Sequence, residues 1–334
     1  MSARVTVVIP NWNGQRFLDL CLGSLRNQAF RDFETIIVDN GSTDGSIDFV
    51  REHFPDVDVV ELGENRGIAA AFNVGVEASD TEFVVLLNND TEQDEGWLGE
   101  LVGTADAHAD AGLFASKLVD FHDRGMLDGA GDAMRLSGLP YRLGHGERDR
   151  GQFDEPVYVF GACAAAALYR KSLFEEVGLF DEDFVSYCED GDLSFRAQLA
   201  GHRCFYVPGA VVYHMGSAST GGKRSPTATR LGTQNSLSLL VKDLPLSAVP
   251  HILPFFVLGQ LARFATAAAT GSLRAHLEGL AGAWHHLPLM RVKRAGIQKR
   301  KQLSDAEVRK LLRQSSIAAT ASIARRLRDR VLSR

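Results

Sequence analysis

Short apolar runs alternate with stretches of helical spacing through the first 120 residues. RVTVVIP (4–10) reads as a strand. From about Arg16 to Asn27, Phe17, Leu18, Cys21, Leu22 and Leu25 fall on one face of a helix. ETIIVD (34–39), DVDVVEL (56–62) and EFVVLL (82–87) predict three further strands. SIDFVREHF (46–54), IAAAFNVGVEA (68–78) and GWLGELVGTADAH (96–108) predict the helices that follow each strand. This alternation predicts an α/β domain with a largely parallel sheet, whose ligands sit at the carboxyl ends of the strands. From about Asp120 to Asp154 the pattern gives way to Gly, Asp and Arg, read as loops and short strands. YVFGACAAAALYRKSLFEEVG (158–178) restores order. EDGDLSFRAQLAG (189–201) predicts a helix, and CFYVPGAVVYH (204–214) a strand with a turn at Pro208-Gly209. GSASTGGKRSPTATR (216–230) has loop composition.

The remainder is helical. LPLSAVPHILPFFVLGQLARFATAAATG (244–271) is apolar but broken by prolines, His251, Gln260 and Arg263, so it reads as a buried or membrane-surface element. A hydrophobic content of 45% with 23% charged residues excludes a disordered or fibrous chain. Charge is distributed unevenly. From Arg291 onward there are 14 Lys+Arg against 3 Asp+Glu, while the preceding body carries 22 basic and 39 acidic residues. The four cysteines form no CxxC pair and no zinc spacing, which suits buried thiols in a reducing compartment. Arg4 is followed at once by a strand, which leaves no signal-peptide pattern.

The polar residues just after the strands change the picture. The first strand ends in Pro10-Asn11, then Asn13. The second ends in DNGSTDGS, containing Asp39, Gly41, Ser42 and Asp44. The third is followed by ENRGIAAAFNVG, containing Asn65, Arg66 and Asn73. The fourth ends in Asn88, Asn89 and Asp90. Any one of these could be an ordinary turn; four on one edge point to a site. Asp39 can accept from a nucleobase imide or a ribose hydroxyl. Gly41 and Ser42 let backbone approach a ligand. Arg66 suits a diphosphate, and Asp90 is a hard oxygen ligand for Mg2+ or Mn2+. NWNGQR stands where a dinucleotide site needs GxGxxG, and Walker A is absent, so a nicotinamide cofactor is disfavoured.

VVIPNWNG, IIVDNGSTDGS, ENRGIAAAFNVG, LLNND and FDEDFVSYCEDGDLSFRAQLAG together resemble the family 2 glycosyltransferases of GT-A fold. The similarity spans residues 4–240 and is greatest to the bacterial rhamnosyltransferase-like group of cell-envelope polysaccharide assembly. The resemblance implies a Rossmann-like, mostly parallel sheet flanked by helices in residues 1–240, with a helical, basic extension in 241–334. It implies a nucleotide-diphosphate sugar donor (dTDP- or UDP-sugar), a divalent cation (Mg2+ or Mn2+) and inversion at the anomeric carbon. Asp39 looks like the base-binding aspartate. Pro10, Asn11, Asn13, Gly41, Ser42, Asp44, Asn65, Arg66, Asn73, Asn88 and Asn89 fall on the nucleotide-sugar side. Asp90 corresponds to the last residue of the metal motif, whose first position is here Asn88, and His214 to a metal-binding histidine.

Glu189, Asp190 and Asp192 open a predicted helix. Acids there cap helices, but three within four residues exceed what capping needs. Displacement at an anomeric carbon needs a base for the acceptor hydroxyl. The resemblance assigns that role to the Glu189-Asp190 pair, with Asp190 preferred and Glu189 the alternative. Asp192 is expected on the acceptor side in a structural part. Gly161, Ala162 and Cys163 resemble the acceptor-side segment, where small residues leave room for a sugar.

The aromatics Phe255, Phe256, Phe264 and Trp284 precede RVKRAGIQKRK (291–301), which holds six cations. The run lacks aromatics to stack bases and the body is acidic, so no nucleic acid partner is expected. An anionic membrane surface suits it, in line with the polyprenyl-linked glycan acceptors that the resemblance implies. A solvated hairpin packed on the body is the alternative. The expected location is cytoplasmic, peripheral at the inner face of the plasma membrane. The expected activity is transfer of a sugar, rhamnose from dTDP-rhamnose by resemblance, to a glycan or lipid-linked glycan. A sugar-nucleotide pyrophosphorylase and a catalytically silent sugar-nucleotide-binding protein are the alternatives.

Overall fold

The computed structural model describes residues 3–216 and 225–332. Its first third repeats a strand-then-helix unit: β1 (Val5–Asn11), α1 (Gln15–Arg26), β2 (Phe33–Asp39), α2 (Ser46–His53), β3 (Asp58–Glu61), α3 (Ile68–Ala78) and β4 (Phe83–Leu87). The short β5 (Thr91–Gln93) precedes α4 (Trp97–Ala107) and the long β6 (Ala111–Asp120). Three small strands follow in the Gly/Asp/Arg-rich stretch: β7 (Leu127–Ala130), β8 (Asp132–Met134) and β9 (Pro140–Arg142). Then come β10 (Val157–Val159), β11 (Ala166–Arg170), α5 (Lys171–Val177), α6 (Glu189–Leu199) and β12 (Arg203–His214). The chain ends in α7 (Pro226–Asp243), α8 (Val249–Ala269), α9 (Leu273–Arg300) and α10 (Asp305–Leu332).

The main sheet runs β10-β12-β6-β11-β4-β1-β2-β3, with β5 added to β12 and β7 to β6. β1–β4, β6 and β12 point one way; β5, β7, β10 and β11 run antiparallel to their neighbours. Side chains alternate between faces. Val5, Val7 and Ile9 join the core under α1, α2 and α4, while Val8 joins the core under α3, α5 and α6. Both faces are covered, which is why the central strands read as unbroken apolar runs. Trp97 is fully buried on the first face and donates from Nε1 to Ser116 Oγ at 2.9 Å. Burying a side chain of this kind contributes about 1.5–3 kcal/mol.

Two local expectations are corrected. Pro208-Gly209 is not a turn: β12 continues through it with a register shift between Val207 and Val211, which reads as a bulge. The loop expected at 216–230 lies largely outside the described residues, and from Pro226 the chain is already the first turn of α7. Pro at the start of that helix costs nothing, because its missing N–H would have no partner there.

A third core joins α6 and α7 to the last helices through Phe195, Leu239, Ile252, Met290, Val308 and Leu312. The extension is therefore packed on the body. Four of the six cations in 291–301 also bond within the chain. Lys293 pairs with Asp181 and Asp183, Arg294 donates to Val241 O, Lys301 to Asp305 Oδ1, and Arg300 to Glu176 O. The expected basic surface along that run is thus largely engaged within the chain. The apolar stretch before it is mostly not buried: residues 246–269 form a helix containing an 18-residue run of mean hydropathy 1.5, of which 11% is buried.

Candidate active site

Strand register brings the polar ends together. Asn11 closes β1 directly opposite Asp39, which closes β2. Asn11 Nδ2 donates to Asp39 Oδ1 at 3.1 Å and to Ser42 Oγ at 3.2 Å, and Asn11 Oδ1 accepts from Asn89 Nδ2 at 2.7 Å. Ser42 donates from its N–H to Asp39 Oδ2 at 2.8 Å and from Oγ to Asp39 Oδ1 at 2.5 Å. Asp39 is buried behind these two side chains and bolts the β2 loop to β1. Asn13 extends the lattice, donating from its N–H to Ser42 Oγ at 2.9 Å and accepting at Oδ1 from Thr43 at 2.8 Å. Asp44 accepts from the Gln15 N–H at 3.0 Å and fixes the starts of α1 and α2. Gly41 (φ +76°) packs against the next loop: a Cβ there would lie 2.7 Å from Glu64 Cα.

A cavity of about 470 Å³ opens on this edge. Pro10, Asn11, Asn65, Asn88, Asn89 and Asp90 line it, joined by Trp12, Asn40 and the 185–187 segment. Asn40 anchors the third loop, donating to Gly67 O at 3.0 Å and accepting from the Arg66 N–H at 2.8 Å. The Arg66 side chain is half-exposed, 3.5 Å from Glu182. Asn73 does not join the cavity. Its amide donates to Phe180 O and Glu182 and accepts from the Phe180 N–H, tying α3 to the segment before α6.

A second cavity of about 490 Å³ adjoins the first, and the two share Ile68, Asn88, Ser186 and Tyr187. Glu189, Asp190, Cys163 and His214 line it, together with Asp132, Arg142 and His145. At the junction β5 pairs with the end of β12, placing His214 opposite Thr91 and thus beside Asp90. Both side chains are buried, with His214 Nε2 3.3 Å from Asp90 Oδ1. Nε2 has no hydrogen-bond partner, while Nδ1 is 2.7 Å from Asp128 Oδ2. Asp128 also accepts from Arg142 Nη1 at 2.9 Å and lies 3.0 Å from His145 Nδ1. Burial opposes charge on His214, but Asp128 and Asp90 outweigh it and raise its affinity for a proton. Burial likewise opposes charge on Asp128, and Arg142 with the two histidines holds its carboxyl far below the usual range.

An aspartate oxygen and an unpartnered imidazole nitrogen facing each other, with the imidazole fixed from behind by a carboxylate, fit a divalent cation. Among the described residues no cluster of three or more His, Cys, Asp or Glu side chains is arranged for a metal. Further ligands would have to come from a diphosphate or water.

Glu189 opens α6, is buried, and has no partner at Oε2. Burial and the neighbouring Asp190 push its carboxyl up to about 8. Asp132 also lines the cavity; its Oδ1 has no hydrogen bond and lies 3.9 Å from Arg142 Nε, and burial together with Asp190 outweighs that cation and pushes the carboxyl up to about 7. Asp190 Oδ1 accepts from the Gly191 N–H at 2.7 Å. Asp192 points away into a fully buried ion network with Arg196 Nε at 2.9 Å and Lys242 Nζ at 2.5 Å. Cys163 reaches the cavity and accepts at Sγ from Arg142 Nη2 at 2.6 Å. Gly161 and Ala162 lie behind the wall; a Cβ on Gly161 would meet Ser194 Oγ at 2.4 Å.

The segment between the cavities is held in an unusual backbone conformation. Val185, Tyr187 and Cys188 have φ of 61°, 71° and 69°. Left-handed φ at non-glycine residues costs on the order of 1–3 kcal/mol each. Asn235 Nδ2 holds the turn by donating to Phe184 O, Ser186 O and Tyr187 O at 2.7, 2.9 and 2.9 Å. Trp12 and Asn40 sit inside motifs visible in the sequence. Asp128, Asp132, Arg142 and Asn235 lie where composition carries no such signal.

A mixed sheet of this order with two joined cavities at its carboxyl edge is the GT-A arrangement. The chain belongs to Glycosyl transferase family 2, which residues 6–178 match. It is 34% identical over 242 residues to the pre-mycofactocin glycosyltransferase of Mycobacterium tuberculosis, covering 68% of this chain and 48% of that protein. The match thus spans about half the length of that relative. It is 27% identical over 268 residues to the N-acetylglucosaminyl-diphospho-decaprenol L-rhamnosyltransferase of the same species, covering 73% of this chain and 85% of the relative. Among solved structures, the mannosyltransferase PcManGT from Pyrobaculum calidifontis, in complex with GDP-Man and Mn2+, superposes with TM-score 0.55 at 21% identity. That match covers 90% of this chain and 86% of PcManGT. S. aureus TarS 1–349 with UDP-GlcNAc superposes with TM-score 0.57 at 19% identity, covering 96% and 89%. At these identities the likeness shows the fold.

Proposed function

We propose that this chain is an inverting, divalent-metal-dependent glycosyltransferase whose donor is a nucleoside diphosphate sugar. The observation that carries the reading is the junction of the two cavities, where Asp90 lines one and His214 the other with Nε2 unpartnered. The first cavity takes the nucleotide against Trp12, the Asn11–Asn89 amides and Asn65. Asp39, Asn13, Ser42 and Asp44 act by holding that wall in place. Asp90 and His214 would hold Mg2+ or Mn2+, which when bound would supply positive charge against the departing diphosphate. Asp128 keeps the His214 proton on Nδ1 and leaves Nε2 free for the cation.

Transfer needs a base on the face of the sugar opposite the leaving group. Asp190 takes the proton from the acceptor hydroxyl as its oxygen attacks the anomeric carbon and the diphosphate departs, which inverts that carbon. A carboxyl that keeps its proton at neutral pH cannot take another, so Glu189 is set aside for this role and serves to shape the site. Asp132 faces the same space and can receive a second acceptor hydroxyl. The acceptor is proposed to be a glycan or polyprenyl-linked glycan of the cell envelope. The L-rhamnosyltransferase relative, named for a diphospho-decaprenol acceptor, supports a polyprenyl-linked acceptor and an L-rhamnosyl donor, proposed as dTDP-rhamnose. The pre-mycofactocin glycosyltransferase relative favours a second reading, an acceptor resembling pre-mycofactocin in place of a polyprenyl-linked glycan. The transfer chemistry is assigned to residues 1–240 and a membrane-facing role to 241–334, at the cytoplasmic face of the membrane. The test is turnover of a panel of dTDP-, UDP- and GDP-sugars with Mn2+, against EDTA and Asp90→Ala. Full turnover in EDTA removes the metal reading; no turnover of any sugar removes the function.

A further inference from the structure

The exposed helix α8 and an adjoining turn of α10 make a surface that sugar transfer does not need. Residues 246–269 contain an 18-residue apolar run of which 11% is buried. Leu253, Phe255, Val257, Leu258, Leu261 and Phe264 are each about half exposed or more. Soluble monomers rarely leave so continuous an apolar strip in water. The helix is seated on the body along its other side. Ile252 and Ala267 are buried, and Arg263, its one formal charge, turns inward to Ser236 Oγ at 2.8 Å and Thr233 Oγ1 at 2.7 Å. No Asp or Glu occurs between Asp243 and Glu278.

At the start of α8 a cavity of about 340 Å³ is walled by Leu136, Ile252 and Leu312 and by the cations Arg309, Lys310 and Arg313. Among the described residues none of these three donates a hydrogen bond or makes a close ion pair. The nearest acids on α10 are engaged elsewhere: Asp305 by Lys301, and Glu307 by Ser304 in a capping box. This contrasts with the run 291–301, where Lys293, Arg294, Arg300 and Lys301 all bond to the chain.

We propose that α8 and the Arg309–Arg313 turn form a docking site for an anionic phospholipid surface, with α8 lying in the interface and the three cations on lipid phosphate. This deepens the membrane role proposed above and rests on it. The observations supporting it are a continuous apolar face free of acids and, beside it, three cations that donate no hydrogen bond to the described residues. Because α8 is tied to the body along one side, it lies along the lipid surface and does not cross it.

Co-sedimentation of the full chain with lipid vesicles tests this. Wild type should bind phosphatidylcholine vesicles weakly and bind far better once phosphatidylglycerol is added. R309Q/K310Q/R313Q should lose about 100-fold in affinity for the anionic vesicles, since each cation near such a surface contributes about fivefold. R291Q/K299Q should bind like wild type, and L258D/L261D should lose binding to both vesicle types. All replaced side chains are at least partly exposed, and circular dichroism reports whether each variant folds. Nucleotide-sugar turnover by R309Q/K310Q/R313Q in vesicle-free buffer should equal that of wild type. If no sugar is turned over but the vesicle results hold, the function fails and the surface stands. Equal binding of wild type to both vesicle types, or wild-type binding by the triple variant, overturns the proposal. So does displacement by inorganic phosphate at matched ionic strength, or retention of the protein through an alkaline carbonate wash.

Discussion

His214 shows how much one side chain depends on its neighbours. An imidazole at a strand end is ambiguous until Nδ1 is held by Asp128 and Nε2 is left facing Asp90. Asp128→Asn keeps the shape but weakens the grip on Nδ1–H. Mn2+ affinity, read by calorimetry with UDP present, should fall about 10- to 100-fold, the usual effect of losing a carboxylate behind a metal-binding histidine. Unchanged affinity would make Asp128 merely structural. The Glu189-Asp190 pair separates by substitution. Asp190→Asn should slow turnover about 10²–10⁴-fold with little change in donor affinity. Glu189 makes a different prediction. The unfolded chain releases that proton near its ordinary value of about 4.3, while the folded chain holds it to about 8. Between these values the folded state binds more protons, so stability falls as pH rises. Glu189→Gln removes this loss, so its melting-temperature advantage over wild type should grow from the lower pH to the higher. A constant difference across that window would show that the carboxyl is not held protonated.

The element that matters most is the 184–188 segment entering α6. It lines both cavities and carries three non-glycine residues at positive φ. One amide from α7 holds three of its carbonyls. Gly67 is required beneath it: at φ +89°, a Cβ there would lie 2.8 Å from Val185 O. Asn235→Ala removes the two N–H donors that these three carbonyls share, each worth about 1 kcal/mol net, and frees the strained turn. We expect a loss of about 2–3 kcal/mol in urea unfolding, together with a fall in turnover larger than any change in Mn2+ affinity. Turnover equal to wild type would show that the turn holds its shape without the clamp.

At the scale of the whole molecule, the proposed division at residue 240 separates chemistry from extension, while the packing runs across it. Ile252, Met290, Val308 and Leu312 cover Met134, Phe160, Phe195 and Leu239. α10 also accepts hydrogen bonds from β8 and the turn after β9: Ser315 Oγ accepts from the Met134 N–H at 2.7 Å, and Ser322 Oγ from the Gly144 N–H at 3.0 Å. A chain ending at Asp243 would expose that core. It should aggregate, or bind a hydrophobic dye and melt well below the full chain. A soluble, active fragment with a wild-type melting temperature would show that the two parts fold independently.

Periodicity is a local property, so the sequence by itself determined the elements built from it. Seven strands and helices from Val5 to Leu87 follow the apolar pattern to within two or three residues at each end. The strand-end polar residues Asn11, Asn65, Asn88 and Asn89 reach one cavity because parallel strands carry their ends to one edge. The partners of those residues are not local. Asp90 meets His214 only because β5 pairs with the end of β12, and Asp128 and Arg142 arrive from a stretch whose composition predicts loops and short strands without a functional motif. Asn73 sits in a promising motif, yet its amide is taken by Phe180 once α3 packs against the segment before α6. The basic tail gives the same lesson: which cations face water depends on the carboxylates and carbonyls that packing brings within reach. Packing engages Lys293 and Arg294 within the chain and leaves Arg309, Lys310 and Arg313 beside an exposed apolar helix.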